Sequence, residues 1–165
     1  MSIDETPERE DRIAPPAPPP LIVGVSATSG SPAALRWGLS EARLRGLPLV
    51  ALRAYSVPSP AGTVRPTPSR ASDAADIRRE AALSELEAHV AAAIGDDLRP
   101  GEISLRVERG TRRSALLRAS WSASLLVVDA PRRRSIGSSP IFASSLVQRA
   151  GCPVVVMPPH GPEHV

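Results

Sequence analysis

Five short apolar runs, each separated from the next by a helix-length segment, set the limits on how this chain can fold. Leu21 to Val25, Leu47 to Tyr55, Glu102 to Glu108, Leu125 to Val128 and Pro153 to Met157 are of strand length. Ala33 to Arg45, Asp73 to Ile94, the segment around Ala115, Leu116 and Trp121, and Ser139 to Ala150 read as helices. Alternating strands and helices imply an α/β fold: a five-stranded parallel sheet with helices on both faces, Rossmann-like in class. Ligands of such sheets sit beyond the carboxyl ends of the strands, where the strand order reverses. The loops to watch are therefore Ser26 to Ser31 and Asp129 to Ser139.

Local signals agree with these assignments. Ser31 is placed as an N-cap with Pro32 at the first helical position. Gly46 follows the last helical residue of that segment. Leu83, Leu86, Val90 and Ile94 recur at spacings of three and four, the mark of one buried helix face. Ile103, Leu105 and Val107 alternate with Ser104, Arg106 and Glu108, as in a strand with one covered face. Val57 to Ser72 holds four prolines and a glycine and reads as a loop.

The expected organisation is a disordered acidic and proline-rich tail over 1–20, one domain over 21–158 and a flexible tail over 159–165. The 165 residues suffice for a single core. Residues 1–20 hold Asp4, Glu5, Glu8, Glu10 and Asp11 against Arg9 and Arg12, then a proline run. The first twelve residues lack the character of an export signal, so the expected location is the cytoplasm. No apolar stretch reaches membrane-spanning length.

The single cysteine, Cys152, excludes an internal disulfide and is read as a small buried side chain. His89 is expected on the surface of its helix, and His160 and His164 in the tail, so no metal site is expected. There is no lysine, hence no phosphate-binding loop of the lysine type. Neither a nucleophile elbow nor any other catalytic constellation is evident, and the chain is expected not to be an enzyme. The basic residues are scattered and the aromatics few, so nucleic acid is not expected as a partner.

Several fragments resemble the universal stress protein family. They are Leu21-Ile22-Val23-Gly24-Val25 with its small loop and Ala33 to Trp37, Glu41 to Gly46 leading into a strand, Val107-Glu108-Arg109-Gly110, Leu125 to Val128, and Gly151-Cys152-Pro153-Val154-Val155-Val156. That resemblance implies a stress-response module and a homodimer formed through Val154, Val155, Val156 and Met157, with a protein partner also possible. In many members it also implies ATP binding. The features behind that are an aspartate after the first strand and a stretch after the fourth: glycine, two residues, glycine, nine residues, then glycine and serine or threonine.

This sequence departs from that pattern. Ser26 stands for the aspartate, Asp129 and Arg132 stand for the first two glycines, and Gly137, Ser138 and Ser139 are the nearest remnants of the last. The candidate binding residues are Ser26, Thr28, Val50, Asp129, Arg132, Arg133, Gly137, Ser138 and Ser139. Two readings follow. Either Asp129 repels phosphate and the site is lost, with no cofactor, or Arg132, Arg133 and Arg134 grip a phosphate ligand such as ATP with side chains in place of backbone.

Overall fold

The computed structural model describes residues 16–57, 68–130 and 141–158. Its elements are β1 (Leu21–Gly24), α1 (Pro32–Arg45), β2 (Leu49–Tyr55), α2 (Pro68–Ile94), β3 (Ile103–Arg109), α3 (Arg112–Ser120), β4 (Leu125–Asp129), α4 (Ile141–Arg149) and β5 (Val154–Met157). The five strands form one sheet in the order β3-β2-β1-β4-β5, and every neighbouring pair is parallel. The chain winds outward from β1 to β3, returns, and continues from β4 on the other side of β1. The order therefore reverses between β1 and β4.

Strand alternation divides the interior in two. Leu21, Val23, Leu49, Ala51, Leu125 and Val127 point to one face, where Leu35 and Leu39 of α1 and Leu86 and Val90 of α2 cover them. Ile22, Leu52, Leu126 and Val128 point to the other, under Leu116 of α3 and Leu146 of α4. The near-continuous apolar character of β1 and β4 follows, because both of their faces are buried. β3 is an edge strand. Ile103, Leu105 and Val107 pack inward while Ser104 and Arg106 are exposed, as the alternation predicts.

Most boundaries fall within one residue of expectation, and two among the described residues differ by more. α2 begins at Pro68 rather than Asp73, because a proline is well suited to a first helical turn and does not prolong the loop before it. β2 begins at Leu49 rather than Leu47. Leu47 N–H instead donates to the Ala42 carbonyl (3.0 Å), closing the end of α1 together with Gly46. The expected start of α4 at Ser139 lies outside the described residues.

α1 lies unusually close to the sheet. A Cβ on Gly38 would stand 2.5 Å from Cγ2 of Val23. Val23 is buried and β-branched, so it has little rotamer freedom with which to yield. At the far end of α1, Arg43 clamps the turn before β3. It donates to Glu102 through Nε and Nη2 (both 2.7 Å) and to the Asp97 carbonyl (2.6 Å). This bidentate bond, with a further one from Arg99 N–H, lowers the Glu102 pKa from 4.5 to about 2.

Gly38→Ala should therefore destabilise the fold by about 1–3 kcal/mol in urea, although alanine is the better helix former by about 1 kcal/mol; an unchanged or raised midpoint would contradict the close contact. Glu102 is lowered in the folded state, so its contribution is complete above pH 4.5 and disappears as pH falls towards 2. The stability difference between wild type and Glu102→Gln should close over that window, and a difference independent of pH would contradict the clamp.

Candidate functional site

The carboxyl ends of β1 and β4 open at the reversal of strand order. The loop after β1 is bound to itself. Ser26 Oγ accepts from Thr28 N–H (3.3 Å) and Ser29 N–H (3.4 Å) and lies 3.1 Å from Thr28 Oγ1. Ser31 Oγ accepts from Ser26 N–H (3.0 Å) and donates to the Gly24 carbonyl (3.4 Å). The hydroxyls of Ser26 and Ser31 are thus engaged within the loop.

Ser31 occupies the N-cap position of α1 but does not cap it. Its backbone is left-handed (φ 48°, ψ 51°) and its side chain makes no cap bond. The acceptor arrives from β4: Asp129 Oδ1 takes the Ala34 N–H at 3.1 Å. A helix N-terminus attracts negative charge through its free N–H groups and its dipole, so a carboxylate here does what an anionic ligand would otherwise do. Asp129 reaches α1 because it follows Val127 in the alternation, on the face that α1 covers.

Arg112 enters the same crevice from the opposite face. Thr111 caps α3 by accepting from Ser114 N–H, which fixes the first turn and with it Arg112. Arg112 Nη2 donates to the Gly24 carbonyl (2.9 Å), and its guanidinium lies 4.7 Å from the centre of the Phe142 ring. Burial lowers its pKa, and the charge of Asp129 opposes that shift. Gly24 permits this packing, since a Cβ there would stand 2.7 Å from Leu116 Cδ2. Arg112 is a site residue that the sequence reading missed. The available signal was a basic residue in the first turn after β3.

A second polar group lies at the carboxyl end of β2. Arg53 is only 7% exposed, pairs with Glu85 of α2 and donates towards Nδ1 of His89 at 3.5 Å. The His89 ring packs on Gly30, where a Cβ would lie 2.7 Å from its Cδ2. His89 is therefore half-buried between α2 and the β1–α1 loop, not on the surface as expected. The helical pattern places it beside Val90, close enough to the buried stripe to reach inward.

Of the other candidates, Ser26 and Thr28 sit in the loop after β1 and Asp129 at the end of β4. Val50 does not join them. It pairs with Ile22 in the first half of β2 and packs in the core under α3, several residues short of the strand end. Arg132, Arg133, Gly137, Ser138 and Ser139 lie outside the described residues. Cys152 is half-buried, and burial raises its thiol pKa, in keeping with a packing role. No group of histidine, cysteine and carboxylate residues among the described residues could hold a metal ion.

A model of the universal stress protein family matches residues 19–158. The chain belongs to the universal stress protein family. Solved structures agree on the fold. The universal stress protein UspA from Lactobacillus plantarum is 15% identical, with a TM-score of 0.59, covering 86% of this chain and 99% of that one. A universal stress protein solved in complex with cAMP is 19% identical, with a TM-score of 0.54 and coverage of 84% and 96%. A family member from Burkholderia pseudomallei is 20% identical, with a TM-score of 0.50 and coverage of 86% and 97%. No curated protein sequence matches the chain. Among its described residues, no helix of this universal stress protein is long and apolar enough to cross a membrane.

Asp129→Ala removes the only side-chain acceptor described at the first turn of α1 and should lower stability by about 1 kcal/mol, read by urea denaturation. No change would mean that Asp129 does not carry the cap.

Proposed function

We propose that this universal stress protein is a cytoplasmic, non-enzymatic stress-response module, acting as a homodimer that binds ATP weakly or not at all. The carrying observation is the Asp129 carboxylate bound to Ala34 N–H at the β1–β4 crevice. An ATP phosphate approaching this helix end would meet a fixed negative charge and would have to displace an existing hydrogen bond. The non-enzymatic reading is supported by the engaged hydroxyls of Ser26 and Ser31 and by the raised pKa of Cys152, which leave no activated nucleophile among these three.

The dimer reading is supported by β5. It is an edge strand, and Val154, Val155, Val156 and Met157 are all only half-buried. An apolar edge strand needs a cover, and a second β5 supplies one.

A second reading, a nucleotide-responsive switch working through Arg132 to Arg134, draws support from Arg112. It already brings one guanidinium into the crevice, with Nε buried and without a hydrogen-bond partner among the described residues. The cAMP complex of a similarly folded protein keeps this reading in view.

Calorimetric titration with ATP separates the two. The proposal predicts no saturable heat at micromolar ligand, and micromolar binding would overturn it. If binding appears, Arg132→Ala with Arg133→Ala should abolish it under the switch reading. Light scattering should give a dimer mass at tens of micromolar protein, and a strict monomer would remove the dimer.

A further inference from the structure

Arg53 lies two residues beyond Ala51 in β2, so it points to the face that α1 and α2 cover. Its side chain is only 8% exposed. The three nitrogens of this guanidinium are unequally supplied with acceptors. Nη2 pairs with Glu85, Nη1 lies 3.5 Å from Nδ1 of His89, and Nε is buried without a hydrogen-bond partner among the described residues. A guanidinium can only donate, so Nδ1 of His89 is the acceptor and the ring proton sits on Nε2. The imidazole is neutral in this arrangement.

The other edge of the ring touches the β1–α1 loop. Gly30 has a φ of 66°, and a Cβ there would stand 2.7 Å from His89 Cδ2. The ring thus fills the space left by a residue without a side chain. Gly30 N–H donates to the Ser26 carbonyl (3.0 Å), which closes the loop on itself. His89 therefore joins three elements: its own helix α2, the end of β2 and one wall of the crevice.

A proton on Nδ1 would break this arrangement. The acceptor would become a donor aimed at another donor, and a second cation would stand 3.5 Å from Arg53. The surrounding charges decide whether the ring stays. The loop from Ser26 to Ser31 has none. Arg36 of α1 is bound to the Ala93 carbonyl (2.8 Å), one turn further along α2. Glu85, one turn earlier on α2, would attract the charged ring. Its side chain is 58% exposed, so water and salt screen it, and it is already paired with Arg53. Arg53 is withdrawn from water and repels with little screening.

We infer that His89 is a pH-sensitive latch on the β1–α1 loop. Neutral, it accepts from Arg53 and holds Gly30 against α2. Protonated, it leaves both and frees that wall of the crevice. The latch goes beyond the proposal for the crevice and does not depend on whether ATP binds there.

The test is nuclear magnetic resonance on the full chain between about pH 8 and pH 5, the range over which histidine changes charge. At the upper limit the His89 Hδ2 proton should show a nuclear Overhauser contact to the Gly30 Hα protons. At the lower limit neither Hδ2 nor Hε1 should show one, and the amide resonances of residues 26–31 should have moved. The amides of β1 and β4 should stay in place. A ring contact to Gly30 that survives at the lower limit, including one exchanged from Hδ2 to Hε1 by a ring flip, would overturn the inference. Loss of the β1 and β4 resonances as well would assign the change to unfolding and would also overturn it. Arg53→Gln removes the repelling charge and should keep the ring on Gly30 at both limits; release as in the wild type would contradict the role of Arg53. Should that variant not fold, His89→Phe serves instead: its loop resonances should be the same at both limits, and a persisting pH response would assign the movement to another group and overturn the latch.

Discussion

Helix α1 starts over the carboxyl end of β4, and its first-turn N–H groups need an acceptor. Asp129 supplies one across the sheet. That bond ties the end of β4 to the helix that follows β1, where the strand order reverses, and it puts a carboxylate where such folds receive a ligand. Around it the crevice is tightly arranged. The β1–α1 loop spends its hydroxyls on its own backbone, Gly24 lets Leu116 close in from below, and Arg112 holds the Gly24 carbonyl. The local αL geometry of Ser31, costly for a residue with a side chain, is maintained by the bonds of its buried hydroxyl.

The sheet and its helices were legible in the sequence because each rests on local pattern. Period-two alternation marks β3, continuous apolar runs mark β1 and β4, and three-four spacing marks α2. The site was less legible because it depends on contacts between distant segments. Ser31 followed by Pro32 has the composition of a cap, yet the side chain that takes the Ala34 N–H comes from Asp129, 95 positions beyond Ala34. His89 looked like a surface residue because one helix's periodicity does not reveal that Gly30 of another loop leaves room for its ring. Val50 was a candidate binding residue, yet it packs in the core, and the register of β2 against β1 that puts it there is not visible in either strand alone.

The two faces of the sheet differ in their charge as well as their cover. On the α1–α2 face, Arg53 and Arg43 are each tied to carboxylates. On the α3 face, arginines outnumber their partners. The buried Arg53 is expensive to keep unless paired, and Glu85 and His89 offset that cost while linking β2, α2 and the β1–α1 loop. The exposed arginines of α3 carry no such penalty, whether paired, as Arg118 is with Glu108, or not.

The central claim is that the Asp129 carboxylate, and not a nucleotide phosphate, occupies the amino end of α1. The Ala34 amide resonance reports on that bond directly. It should shift when Asp129 is replaced by Ala, and should stay fixed when millimolar ATP is added to the wild-type protein. Movement of the Ala34 amide on adding ATP, saturating with ligand and absent for adenosine, would show that phosphate displaces the carboxylate and would contradict the account.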